Sequence, residues 1–200
     1  MIAAVAEIFQ ARLETLRGLV RGDLLECLTG LSPCVLGIDA DSQGVSWCLL
    51  DGDTLKVESL TRTNRAGEID AEYDARLASL LKEARARNAG VVLEGIWLAS
   101  ETSTAIRNVQ VFRVLAEIQG EIKAAARANG VPVVVVQPTT WHAAVLGFVR
   151  GRAELKGASM EVGRMFAGED LDEHQSDALA LALYGIARAF WREGADREAG

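Results

Sequence analysis

From Cys34 the chain reads as three β segments in immediate succession, and this constrains the fold more than any other stretch. CVLGID, VSWCLLD and TLKVESL carry the β-branched and apolar residues of strands, with Asp51-Gly52 as the hairpin turn between the second and third. Beyond them the pattern becomes an alternation. Residues 70–88 have helical period and end at Asn88 and Gly90, where a helix C-terminus is expected. VVLEGIW is a fourth strand, 103–128 a long helix closed by Asn129-Gly130, and VPVVVV a continuous run that predicts a strand covered on both faces. After Pro138 come a short helical piece, a basic stretch from Arg150 to Lys156, and a final helix from about Asp172 to Trp191. Strands separated by helices pair in parallel, so the order predicts an α/β domain with an antiparallel edge on a parallel core.

The preceding residues are of another kind. Ile2, Val5, Phe9, Leu13, Leu16 and Val20 mark a one-faced helix over about 2–21, and TGLSP at 29–33 reads as a linker. The expected organisation is an N-terminal extension over 1–33, one domain over 34–191, and a tail over 192–200, which suits a length of 200 residues.

Half of the residues are hydrophobic and 24% are charged, which excludes a disordered chain, and no apolar run approaches the ~18 residues of a membrane span. Cys27, Cys34 and Cys48 are odd in number, form no C-x-x-C pair and lie in apolar surroundings, as in a reducing compartment. Glu7 and Glu14 do not suit a signal or transit peptide, so the sequence predicts a cytoplasmic protein without membrane association. A net charge of -7 argues against coating nucleic acid through bulk positive charge. The charge is uneven, however. Thr102 to Met165 holds eight Lys or Arg against four Glu, so positive charge is concentrated in one half.

Three acids interrupt apolar elements: Asp39 ends CVLGID, Glu94 ends VVLE, and Asp177 precedes ALALALYGIA. Ionised carboxylates beside a packed core are costly unless they are paired or bind a cation. His174 and Asp177 are three apart on a helix and project from one face. Hard oxygen donors with one imidazole suit Mg²⁺ or Mn²⁺ rather than zinc. Each residue also has an ordinary reading: Asp39 and Glu94 as turn or cap residues, His174 as a surface histidine, Asp41 as a turn residue. Asp172 and Glu173 suit the first turn of a helix and need no chemistry.

Together, LGIDADSQGVSW (36–47), VVLEGIW (91–97) and DEHQSDALALALYG (172–185) resemble the RuvC branch of the RNase H-like nucleases, the Holliday-junction resolvases. The resemblance spans about 34–187 in family order. It implies an RNase H-like mixed five-stranded sheet flanked by helices, and a structure-selective endonuclease that nicks four-way junctions symmetrically. It further implies Asp39, Glu94, His174 and Asp177 as metal ligands and catalytic residues, two Mg²⁺ per site with Mn²⁺ as substitute, and a homodimer with a possible branch-migration helicase partner. Trp97 falls where the family carries a base-stacking aromatic, and Arg150, Arg152 and Lys156 in a segment expected to touch phosphates; Arg107 belongs to the same basic half. Core packing for Trp97 and a solvated charged face for the basic residues are the plainer readings. The long helix, apolar at Val109, Phe112, Leu115, Ala116 and Ile122, suits either a dimer interface or packing on the sheet. Two departures stand out: Ala40-Asp41 replaces the usual small pair after the first Asp, and one extra residue separates Ala153 from Lys156. A sibling nuclease acting on RNA, hybrid or other branched DNA would share the same ligands, whereas a module that binds junctions without cutting them requires a broken ligand set, and here the Asp, Glu, His, Asp quartet is intact.

Overall fold

The computed structural model describes residues 34–51, 54–63, 68–96, 109–147, 151–168 and 170–198, with the backbone alone from 187 onward. The expected N-terminal helix, Trp97, Arg107 and Arg150 lie outside these residues.

Three antiparallel strands come first: β1 (Cys34–Ala40), β2 (Gly44–Asp51) and β3 (Thr54–Thr61). Asp51 faces Thr54 across the hairpin, so Asp51 still belongs to β2 and the ladder closes one residue later than a turn centred on Asp51-Gly52 predicts. The alternation follows, with α1 (Tyr73–Ala86), β4 (Gly90–Glu94), α2 (Val109–Ala128) and β5 (Val133–Val136). A short α3 (Pro138–Trp141) continues into a π-helical turn at His142–Leu146, and α4 (Arg152–Ala167) and α5 (Glu173–Glu198) complete the order. The sheet runs β3-β2-β1-β4-β5, with β4 parallel to both β1 and β5.

Side chains alternate across each strand, so the sheet has two distinct faces. Leu36 and Ile38 of β1, Trp47 and Leu49 of β2, and Val91 and Leu93 of β4 pack with Leu77 and Leu81 of α1 and with Ile118 and Ile122 of α2. The opposite face presents Val35, Cys48, Val92 and Val136 to α5. Residues Ala178 to Leu183 of α5 are all buried, because the sheet covers one side of this helix and α4 the other.

Gly37 sets how closely α5 lies on β1. A Cβ there would overlap the carbonyl oxygen of Ala178 and the amide of Ala182, so the helix rests on bare backbone. The Ala/Leu alternation of ALALALYG thus has a packing reason: small residues meet the glycine of β1 while the leucines fill the core around them.

The expectations met three differences. β5 is an edge strand whose Val134 and Val135 are exposed, not one covered on both faces, because the run of valines ends the sheet. α5 continues to Glu198, seven positions past Trp191, since a single Gly194 among good helix formers does not end a helix. On α2 the two proposed roles divide: Leu115 and Ile122 are buried against the sheet, whereas Val109 is 72% exposed and Ala116 also faces outward. Among the described residues no helix is long and apolar enough to cross a membrane.

Candidate active site

Parity places the acids. Asp39 shares the face of Val35 and Gly37, four and two residues before it, and Glu94 shares the face of Val92. Ile38 pairs with Leu93 in the parallel ladder, so Asp39 and Glu94 stand side by side one step further on, at the ends of neighbouring central strands. This face lies under α5.

The start of α5 is fixed by its cap. Asp172 Oδ1 accepts the amide of Gln175 at 2.8 Å, and Gln175 Oε1 accepts the amide of Asp172 at 3.2 Å, a reciprocal capping box. His174 and Asp177 then fall within the first turns of a helix anchored to β1 through Gly37. Asp172 has the structural role expected of it. Glu173 instead contacts Lys156 of α4.

Each acid has a protein donor on one oxygen. His174 Nδ1 lies 2.7 Å from Asp39 Oδ2, the indole of Trp141 donates to Glu94 Oε2 at 2.7 Å, and the Ser159 hydroxyl of α4 donates to Asp177 Oδ1. Asp41 takes part as well. Its Oδ1 accepts the amides of Gln43 and Gly44, as a turn residue would, and its Oδ2 lies 3.6 Å from His174 Nε2. The imidazole therefore sits between two carboxylates.

Burial and crowding shape the charges. Burial, together with the neighbouring Asp39 carboxylate, raises Glu94 to about 8, and the Trp141 hydrogen bond only partly offsets this. Asp177 rises to about 7 for the same two reasons, against the Ser159 bond. Burial also raises Asp39, while contact with it lifts His174 to about 9, so the Asp39–His174 contact carries a proton at neutral pH. Asp39 is buried and Glu94 and Asp177 are half-buried, and three mutually repelling acids so placed form a site that a cation would relieve.

The donor chemistry fits a hard divalent ion: carboxylate oxygens and one imidazole. As the side chains stand, no group of three His, Cys, Asp or Glu converges on one point among the described residues. The reason is visible in the contacts, since the acids turn toward His174, Trp141 and Ser159. Each nonetheless leaves its second oxygen for a cation, and binding would require His174 to give up its proton and change partner.

The DNA-contact candidates divide. Arg152 opens α4 on the same sheet face as the acids, and Lys156 is one turn further, paired with Glu173 beside His174. The basic residues of α2, Arg113, Lys123 and Arg127, belong to the helix on the opposite face. The basic half of the sequence is therefore not one surface, because successive helices cover alternate faces of the sheet. Trp141 and Ser159 escaped sequence reasoning, whereas Asp41, open to reading as a turn residue or as an extra carboxylate near the site, is in the turn and also beside His174. The first two are linked to the acids only through the β4–β5 ladder and the packing of α4 on α5.

A five-stranded sheet in this order, with acids ending two adjacent parallel strands beneath a helix that carries further acids and an imidazole, has the RNase H-like fold. Among proteins of this fold, the chain is similar to RuvC proteins. It is 28% identical over 158 residues to the crossover junction endodeoxyribonuclease RuvC of Nitratidesulfovibrio vulgaris strain DP4, across 76% of this chain and 89% of that protein. The same figures hold for the protein of that name from the Hildenborough strain. No protein-family model matches the chain. Two solved structures share the fold: Thermus thermophilus RuvC in complex with Holliday junction substrate, with a TM-score of 0.57 and 21% identity over 80% of this chain and 94% of that one; and Thermus thermophilus RuvC alone, with 0.53 and 23% over 81% and 96%.

Proposed function

We propose that the protein is a divalent-cation-dependent endonuclease that resolves four-way DNA junctions by paired symmetric nicks. The observation that carries this reading is the adjacency of Asp39 and Glu94 at the ends of β1 and β4, under a helix bearing His174 and Asp177. The relatives it resembles are named crossover junction endodeoxyribonucleases, and one related structure holds a Holliday junction.

In this reading Asp39, Glu94, His174 and Asp177 hold two Mg²⁺ ions, with Mn²⁺ as substitute. When bound, such ions supply charge neutralisation and an activated water for in-line displacement at phosphorus. The protein's own part is to bring the four donors to one place, to hold the carboxylates at fixed angles, and to present Arg152 and Lys156 to the phosphate backbone. Exchange of Lys156 from Glu173 to a phosphate would leave Glu173 beside His174. Cleavage leaves a 5′-phosphate and a 3′-hydroxyl.

A junction of two-fold symmetry cut at two points calls for two sites, so the working form is a homodimer. The outward residues of α2, Val109 and Ala116 with Gly120 between turns, offer a surface for that pairing. A branch-migration helicase is the natural further partner. The cytoplasm is the proposed location.

The deciding experiment incubates the protein with synthetic four-way junction, linear duplex, and RNA-DNA hybrid, in Mg²⁺, Mn²⁺ or EDTA, beside Asp39→Asn. Junction-selective paired nicks that need the cation, and that Asp39→Asn loses while still binding, are expected. Cutting in EDTA, or equal cutting by the variant, would overturn the mechanism. Preference for hybrid would move the assignment to a sibling activity.

A further inference from the structure

We propose that Trp141 is the positioning residue of Glu94, a buried indole whose N–H fixes one carboxylate oxygen so that the other is presented to a bound cation. The proposal rests on the function proposed above and adds to the site a residue that can neither ligate a metal nor titrate.

The geometry begins with the sheet. Val136 closes β5 opposite Glu94 in the parallel ladder, so the chain leaves β5 beside that acid. Pro138 at the first position of α3 starts the helix at once, and one turn later Trp141 is its last residue. Its ring is fully buried among Val136, Val162 and Leu179. His142 packs edge-on at 4.0 Å between ring centroids. A large ring in that position has no room to rotate away, and its single polar hydrogen points to Glu94 Oε2 at 2.7 Å.

The main chain of Glu94 is held separately. Gln119 of α2 donates to its carbonyl oxygen at 2.5 Å, and the Gly95 amide donates to Val136 O at 2.7 Å. With the backbone fixed from two sides, only the side-chain torsions of Glu94 remain free, and the indole sets them. Each partner needs the other: an unpaired indole N–H or carboxylate at this depth would be costly. An indole is suited to the task because it donates one hydrogen bond and carries no charge. A lysine here would compete with the cation, whereas Trp141 orients the ligand and leaves the negative charge for the metal. Outer partners of metal ligands act in this way, and their loss typically weakens metal affinity by about 10–100-fold.

The test uses the full-length, DNA-free protein. Mn²⁺ is titrated calorimetrically into wild type, Trp141→Phe, Glu94→Gln and the double variant. Trp141→Phe keeps the ring and removes only the N–H. It is expected to weaken Mn²⁺ binding by about 10–100-fold, and to add nothing in the Glu94→Gln background, since the indole acts through Glu94. Equal affinity for Trp141→Phe and wild type, or the same loss in both backgrounds, would overturn the proposal, the second by showing a general packing role. A second arm needs neither metal binding nor a folded Trp141 variant. In ¹⁵N-labelled protein the Trp141 indole N–H signal is expected to shift strongly in Glu94→Gln, and an unmoved signal would also overturn the assignment. If wild type bound no Mn²⁺ while the signal still moved, the nuclease reading would fail and the Trp141–Glu94 relationship would stand.

Discussion

The imidazole Nδ1 of His174 lies 2.7 Å from Asp39 Oδ2 and joins the first turn of α5 to the end of β1. Because His174 Nε2 also lies 3.6 Å from Asp41 Oδ2, one cationic ring balances two acids in the metal-free protein. On the proposed function, a divalent ion bound here would therefore act on stability as well as on chemistry.

Stability of the metal-free protein is expected to fall as pH rises from about 5 to 9. Glu94 and Asp177 have folded values near 8 and 7, raised by burial and by Asp39, so their ionisation above the unfolded range penalises the folded state. His174, raised to about 9 by Asp39, stabilises fully below its ordinary value and loses that contribution as pH passes 9. Both effects have the same sign. Thermal melts in EDTA across this range should show a declining midpoint, flattened in Glu94→Gln and restored by Mg²⁺; a midpoint that rises with pH would contradict the charge assignment.

Gly37→Ala should both destabilise the protein and open the site. The added methyl meets the backbone of α5 at Ala178 and Ala182, which cannot yield as a flexible side chain would. A loss of about 1–3 kcal/mol or more is expected in urea unfolding. Nicking should fall further than stability accounts for, because the helix bearing His174 and Asp177 is pushed from the strand bearing Asp39.

Arg62 tests the opposite face. Its guanidinium is buried and forks onto Glu121 of α2 through Nε at 2.9 Å and a terminal nitrogen at 2.6 Å. Arg62→Ala should cost about 1–3 kcal/mol, below the range for fully buried pairs because Glu121 is partly exposed. Arg62→Lys should recover only part, as one ammonium cannot replace the fork. Nicking by the folded fraction should be unchanged. A selective loss of activity would mean that α2 reaches the substrate.

Lys156→Ala and Arg152→Ala should weaken junction binding in EDTA and lower the salt dependence of the binding constant by about one per lost phosphate contact. Fluorescence anisotropy over a salt series measures this. An unchanged slope for both would make them solvated surface charges, with Lys156 serving only to hold Glu173.

The described cysteines should be silent toward thiol reagents. Burial raises Cys34 to about 11 and raises Cys48 further. In a Cys27→Ser variant, Ellman's reagent should find essentially no thiol at pH 8 until denaturant is added. Rapid labelling of the native protein would show that β1 and β2 open readily.

How much of this was written in the residues varies with the range of the interaction. The order of strands and helices was legible from Cys34 onward because hydrophobic period and turn chemistry are local: Asp51-Gly52 marks its hairpin and Asn129-Gly130 its helix end without help from the rest of the chain. Asp39, Glu94 and Asp177 were legible as acids that interrupt apolar elements, whereas His174 joined them through its spacing from Asp177 and the family resemblance. The tertiary structure alone decided that Asp39 and Glu94 share a face and a level, since this depends on the parallel register of β1 with β4. It alone decided that β5 is an edge, that the basic half splits across the sheet, and that Trp141 and Ser159 become the partners of Glu94 and Asp177. Those outcomes rest on contacts between segments far apart in the chain, which are selected by close packing around Gly37 and α5 rather than by any local preference.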